Sequence, residues 1–219
     1  LDEIPIILAV PADCPFHESG GVAYKRLTGQ SRAAAMAGGS RKTDTRAVFL
    51  DRDGVLNRAF LRDNKPIPPK TVEEFEILPG VVEAAQALKA AGFLLIVATN
   101  QPDVTRGTQR RETVDAMHEI LRAALPLDDI MVCWDDGAPC YKPKPGMLLN
   151  AAVRWEIDLK RSYLVGDRWR DIDCAANAGC FSLFVDYGYD EALRAKPDAV
   201  CASLSEAAGI ILGRLKEGL

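Results

Sequence analysis

From Arg46 onward the chain alternates short apolar runs with stretches whose apolar residues recur at helical spacing. Ala47 to Leu50 is a continuous apolar run of strand length, the pattern of a strand buried on both faces. Pro79-Gly80 opens a segment in which Val81, Ala84, Ala85 and Leu88 recur three and four residues apart, and Gly92 stops it. Phe93 to Ala98 reads as a second buried strand. A helix from about Thr108 to Leu125 carries Val114, Met117, Ile120, Leu121 and Ala124 on one face, with Pro126 as its terminator. The series continues with a strand over Asp129 to Cys133, a helix over Gly146 to Trp155 and a strand over Ser162 to Val165. It closes with a helix through Ala175, a strand over Phe181 to Val185 and a helix from about Ser203 to Lys216. Strands alternating with helices predict right-handed βαβ units, hence an α/β domain with a mainly parallel sheet of five or slightly more strands and helices on both faces.

Residues 1 to 45 do not join this series. Residues 28 to 45 are small, polar and glycine-containing, as a linker is. The expected organisation is therefore an N-terminal extension and linker over 1–45 and one folded domain over 46–219. With 48% hydrophobic residues the 219-residue chain can bury a full core. A net charge of −4 argues against nucleic acid as partner. The apolar stretch Ile4 to Val10 contains Pro5 and follows Asp2 and Glu3, which is not the positive start of a signal peptide. No run is long enough to span a membrane. These features point to a cytoplasmic protein, a monomer or weak dimer, whose six scattered cysteines are expected as reduced thiols.

Four signals sit at strand ends or before a helix: Asp51-x-Asp53-Gly54, Thr99-Asn100-Gln101, Lys142-Pro143 and Gly166-Asp167-Arg168. A parallel sheet gathers such ends along one edge, so residues far apart in sequence meet in one crevice. Two aspartates there repel unless a cation sits between them, and a hard divalent ion such as Mg²⁺ favours oxygen ligands. Each residue type suits phosphoryl transfer. Asp51 can attack phosphorus and Asp53 can protonate the leaving oxygen and then activate water. Mg²⁺ would be held by Asp51, Asp167 and the main-chain carbonyl of Asp53. The Thr99 hydroxyl and the Asn100 backbone N–H can hold phosphate oxygens, and Lys142 can neutralise the charge that gathers on Asp51 and phosphate.

These motifs resemble the four motifs of the haloacid dehalogenase (HAD) superfamily, and the aspartate at position 53 is the residue its phosphatases carry. The resemblance covers roughly residues 46 to 200. The flanking residues Arg52, Val55-Leu56-Asn57, Arg106-Gly107 and Lys144-Pro145-Gly146-Met147 make the chain similar to D-glycero-D-manno-heptose 1,7-bisphosphate phosphatases and to their histidinol-phosphate phosphatase relatives. The resemblance implies a three-layer, Rossmann-like α/β domain with minimal or no cap. About 20 residues lie between Asn57 and Pro79, too few for a folded cap, so Phe60 to Glu76 is expected to form a flap or loop. It implies Mg²⁺-dependent hydrolysis of a small phosphorylated metabolite, with Asn57, Asn100, Gln101, Arg106 and Arg168 as substrate contacts. Histidinol-phosphate phosphatase and polynucleotide 3′-phosphatase are the nearer alternatives. A phospho-sugar-binding module without turnover is the alternative from another class, and the intact Asp51, Asp53, Lys142 and Asp167 argue against it.

Two departures stand out. The relatives commonly carry a zinc loop of Cys-x-His…Cys-x-Cys form before the lysine of the third motif. Only Cys133 and Cys140 remain of it here, with Asp135 and Ala138 at two other positions. Structural zinc wants four ligands, usually Cys and His, so no structural zinc is expected. A Cys133–Cys140 disulfide is disfavoured in a reducing cytosol. Tyr141 stands where the relatives often place an arginine suited to a second phosphate, a charge that Arg106, Arg168 or Lys144 would have to replace. Elsewhere the ordinary readings hold. His118 is expected beside the core, Cys174, Cys180 and Cys201 inside it, and Asp171 no closer than behind the site.

Overall fold

The computed structural model describes residues 44–218. Nearly all of the expected N-terminal extension, residues 1–43, lies outside the described residues. Six parallel strands form the sheet: β1 (Ala47–Leu50), β4 (Leu94–Asn100), β5 (Asp129–Cys133), β6 (Tyr163–Gly166), β7 (Phe181–Val185) and β8 (Ala199–Cys201). Their order is β5-β4-β1-β6-β7-β8. The chain thus builds outward from β1 on one side, then returns to lay β6 on the other. Ligands of open α/β sheets bind where the winding reverses in this way, beyond the carboxyl ends of the strands.

Among the described residues five helices cover the sheet: α1 (Val81–Ala90), α2 (Arg111–Ala124), α3 (Gly146–Trp155), α4 (Trp169–Ala178) and α5 (Leu204–Lys216). Side-chain alternation along the strands sorts them into two layers. Val48 and Leu50 of β1 join Leu95, Val97 and Val165 in a core that α1, α2 and α5 close. Ala47 and Phe49 point the other way, with Ile96, Ala98 and Leu164, into a core closed by α3 and α4. All four residues of β1 are fully buried, as the unbroken apolar run requires.

The expected elements are present, with displaced ends. Helix α2 starts at Arg111 rather than Thr108, because the N–H groups of Thr108 and Gln109 both donate to the Asp103 carbonyl in a preceding turn. The expected flap takes a definite form. Strands β2 (Phe60–Arg62) and β3 (Lys65–Ile67) pair antiparallel around Asp63 and Asn64, whose φ values are 50° and 60°. Two consecutive left-handed residues make the tight hairpin turn that Asp and Asn tolerate best. Strand β8 was not foreseen; its Val200 is exposed and its three residues are too few for a periodicity.

The expectation of reduced thiols fails at one pair. Cys133 and Cys140 are joined in a disulfide, with Cα atoms 5.6 Å apart. The Ala138 N–H donates to the Asp135 carbonyl, and the turn folds the segment back so that the two cysteines meet. Sequence distance alone conveys none of this. Cys174, Cys180 and Cys201 are free and buried, as expected.

Candidate active site

Asp51 follows the last residue of β1 and keeps its register, its N–H donating to the Val165 carbonyl at 2.9 Å. The chain then coils tightly. The Arg52 carbonyl accepts from the N–H groups of Leu56 (2.9 Å) and Asn57 (3.1 Å), and Gly54 N–H donates to Asn57 O at 2.8 Å. Gly54 has φ +90°, and a Cβ there would stand 2.1 Å from Asp167 Oδ2. Gly166 does the same for a second carboxylate, since a Cβ on it would lie 2.2 Å from Asp171 Cβ. Two glycines thus make room for two buried aspartates.

Asp51, Asp167 and Asp171 each bring one carboxylate oxygen into a cluster spanning at most 4.8 Å. All three are buried. Lys142 Nζ donates to Asp51 Oδ1 at 2.7 Å and to Asp171 Oδ1 at 2.5 Å. Both oxygens of Asp167 are buried, and among the described residues neither has a hydrogen-bond partner. Burial, with the charge of Asp51, pushes the Asp167 carboxyl well above the usual range. Burial likewise raises Asp51, to about 6, against the pull of Lys142. Burial opposes the Lys142 charge too, but Asp171 and Asp51 outweigh it and hold the ammonium above its ordinary value. Three carboxylates facing one lysine leave a surplus of negative charge. A divalent cation would cancel it and satisfy Asp167, so the donor set fits Mg²⁺.

Asp53 stands apart from this cluster. Its carboxylate accepts from Arg52 Nη2 (2.9 Å), Asn57 Nδ2 (3.0 Å) and Gln101 Nε2 (2.9 Å). Any ligation by Asp53 therefore falls to its main-chain carbonyl. Gln101 also donates to Thr99 Oγ1 at 3.0 Å, tying the end of β4 to the β1 loop. Asn100 clamps the backbone of Lys142 from both sides: Nδ2 donates to its carbonyl (3.1 Å) and Oδ1 accepts from its N–H (3.0 Å). The Lys142–Pro143 peptide is cis.

The structure brings Asp51, Asp53, Thr99, Asn100, Gln101, Arg106, Lys142, Asp167 and Arg168 to one open crevice of about 200 Å³. Ala59 and Pro66 to Pro68 of the hairpin wall it from the far side. It does not bring Asn57 there. That residue is fully buried and spends its amide on Asp53 and on the Arg58 carbonyl. Arg168 reaches the crevice but is paired with Glu191 at 2.5 Å. Asp171 lies inside the cluster rather than behind the site; an acid in the first turn of a helix has an ordinary explanation, and its place four residues after Asp167 was the available signal. Arg52, which the sequence offers only as a flanking residue of the first motif, also belongs to this arrangement. That guanidinium is fully buried between Asp53 and His118, whose Nε2 lies 3.4 Å away as acceptor. A cation standing between the two aspartates of Asp51-Arg52-Asp53 was the cue.

Residues 139–207 match the HAD-hydrolase-like family model. A D-glycero-D-manno-heptose-1,7-bisphosphate 7-phosphatase of Thermosynechococcus vestitus is 33% identical over 187 residues, covering 74% of this chain and 92% of its own. The chain belongs to the HAD-like phosphatases. A D-glycero-beta-D-manno-heptose-1,7-bisphosphate 7-phosphatase of Bordetella bronchiseptica is 37% identical over 152 residues, 64% of this chain and 80% of that one. Among solved structures, a D,D-heptose 1,7-bisphosphate phosphatase from B. bronchiseptica, complexed with magnesium and phosphate, superimposes with a TM-score of 0.65 at 31% identity. It covers 78% of this chain and 99% of that one. The phosphatase family and the Rossmann-like α/β fold expected from the motifs are both borne out. Among the described residues no helix is long and apolar enough to cross a membrane.

Proposed function

We propose that this HAD-like phosphatase is a Mg²⁺-dependent 7-phosphatase of a D-glycero-D-manno-heptose 1,7-bisphosphate. The observation that carries the chemistry is the separation of two carboxylate environments 51 and 53 residues into the chain. Asp51 lies in the buried cluster with Asp167, Asp171 and Lys142, while Asp53 is held off by three donors. Groups pushed into different environments take different parts in acid–base chemistry. The names of the relatives support the sugar bisphosphate.

In this reading Asp51 attacks phosphorus and becomes the aspartyl-phosphate. Lys142, fixed on Asp51 by the Asn100 clamp, neutralises charge on the attacking carboxylate and on the equatorial oxygens. Asp53, aimed by Arg52, Asn57 and Gln101, gives its proton to the leaving oxygen and then takes one from water. Thr99 offers its hydroxyl to the phosphate. Asp51, Asp167 and the Asp53 carbonyl, with Asp171 beside them, would hold Mg²⁺, which would supply the positive charge that lets two anions approach.

Phosphate release from the 1,7-bisphosphate, from its two monophosphates and from histidinol phosphate tests the proposal, each with Mg²⁺ and with chelator. The 7-phosphate should be cleaved, the 1-phosphate spared and chelator should abolish turnover. Asp51→Asn should lose roughly 10⁴-fold or more. Preferred cleavage of histidinol phosphate would reject the sugar assignment and leave the chemistry standing.

A further inference from the structure

Among the described residues four cationic side chains line the crevice: Arg106, Lys142, Arg168 and Arg170. Three are already committed. Lys142 lies between Asp51 and Asp171, Arg168 pairs with Glu191, and Arg106 pairs with Asp136 and Asp103. Lys144 does not line the crevice and donates to the carbonyls of Gly137 and Ala138. Among the described residues no carboxylate lies within ion-pair distance of Arg170. Its guanidinium stacks 4.9 Å from the centre of the Trp169 ring. Stacking restricts the rotamers of a long side chain and leaves its in-plane N–H donors free.

We propose that Arg170 binds the remote phosphate of the substrate and sets the preference for a bisphosphate over a monophosphate. The inference rests on the phosphatase reading of the crevice and names the group that reads the end of the substrate away from Asp51. Tyr141 lines the crevice without charge, so a second phosphate needs a cation from another wall. Arg170 supplies one from the first turn of α4, two residues beyond Arg168 and next to Asp171. It is half-buried, whereas Asp51, Lys142 and Asp167 are buried, which places it at the rim rather than over the reacting phosphorus. Among the described residues Arg170 has no ion pair to break on binding, although its charge acts on Glu191, whereas Arg106 would have to leave two carboxylates. A fork of N–H donors also suits a dianionic phosphate better than an ammonium does.

Arg170→Met, Arg170→Lys and Arg106→Met are compared with the unaltered chain on the heptose 1,7-bisphosphate and the heptose 7-phosphate, which share the scissile group. The readout is the ratio of kcat/KM for the two. Arg170→Met should lower that ratio by roughly 10- to 100-fold, mainly through KM for the bisphosphate, the scale of a charged hydrogen bond. Arg170→Lys should recover part of it, and Arg106→Met should keep it. A ratio within about 2-fold of the starting value for Arg170→Met, or a collapse in Arg106→Met alone, overturns the proposal. If the unaltered chain cleaves no phosphomonoester, the phosphatase reading fails instead. The inference is then decided by calorimetric binding of the same two sugars to Asp51→Asn with and without Arg170→Met. Equal losses for both sugars contradict it, and a loss confined to the bisphosphate supports it.

Discussion

At Gly54 the backbone is left-handed, and the space a methyl group would need is held by Asp167 Oδ2. Gly54→Ala therefore does two unfavourable things at once: it strains φ and drives aside the carboxylate proposed to hold Mg²⁺. Turnover at limiting Mg²⁺ should fall by at least about 10-fold and the Mg²⁺ needed for half-activity should rise; an unaltered Mg²⁺ requirement would show that Asp167 is free to move. His118 carries a second prediction. Burial, with Arg52 facing it, lowers its imidazole from 6.5 to about 3. Below the ordinary value the unfolded chain takes up a proton that the folded chain refuses. The stabilisation from this group is whole above about pH 6.5 and is lost as pH falls toward 3, at up to about 1.4 kcal/mol per pH unit. Denaturant melts from pH 7 to 5 should be steeper in pH for the unaltered chain than for His118→Gln; equal slopes would mean that His118 titrates normally in the fold. At this scale much was legible. Asp51, Thr99 and Asp167 could be found because each stands at or just past the end of an apolar run, Asp53 by its place in Asp51-x-Asp53-Gly54, and Lys142 by its place before a helix. Asn57 could not be placed correctly, because motif spacing does not tell a substrate contact from a residue that orients Asp53.

The segment between β5 and α3 shows how elements hold the site. It runs from Cys133 to Pro145, is closed on itself by the Cys133–Cys140 bond, and is pinned to β4 by the Asn100 clamp on Lys142. Gly146 opens α3 directly beneath it, where a Cβ would stand 2.3 Å from the Pro139 carbonyl oxygen. Backbone cannot give way as a flexible side chain can. Gly146→Ala should displace this loop and lower kcat by roughly 10-fold or more while leaving the far-UV spectrum intact. Normal kcat would show that Lys142 is positioned without the loop. The β2–β3 hairpin, by contrast, walls the crevice and adds nothing to the cluster of carboxylates. Its form was hidden in the sequence, because three-residue strands are too short to show alternation. Helix and strand cores were legible, since they are set by burial. Their ends were not, since they are set by local hydrogen bonds such as those on the Asp103 carbonyl.

Across the molecule, one reversal of winding explains why the site is where it is. β1 is flanked by β4 and β6, and the three leave Asp51, Thr99 and Asp167 at a common edge although they are far apart in sequence. Among the described residues both cores are built from residue 47 onward, so the domain over 46–219 should stand by itself. A chain beginning at Lys42 should unfold in one cooperative transition and retain phosphatase activity; loss of either would assign a folding role to the residues before it. The parallel α/β architecture was legible because fully buried strands carry unbroken apolar runs. Strand order was not, since pairing depends on contacts that no local pattern records. The most direct test of the account is a borohydride quench during turnover with Mg²⁺, which reduces an acyl phosphate on aspartate to homoserine, read by peptide mass spectrometry. Homoserine should appear at position 51 and nowhere else. Turnover without homoserine at 51, or with it at 53 or 167 instead, would contradict the mechanism.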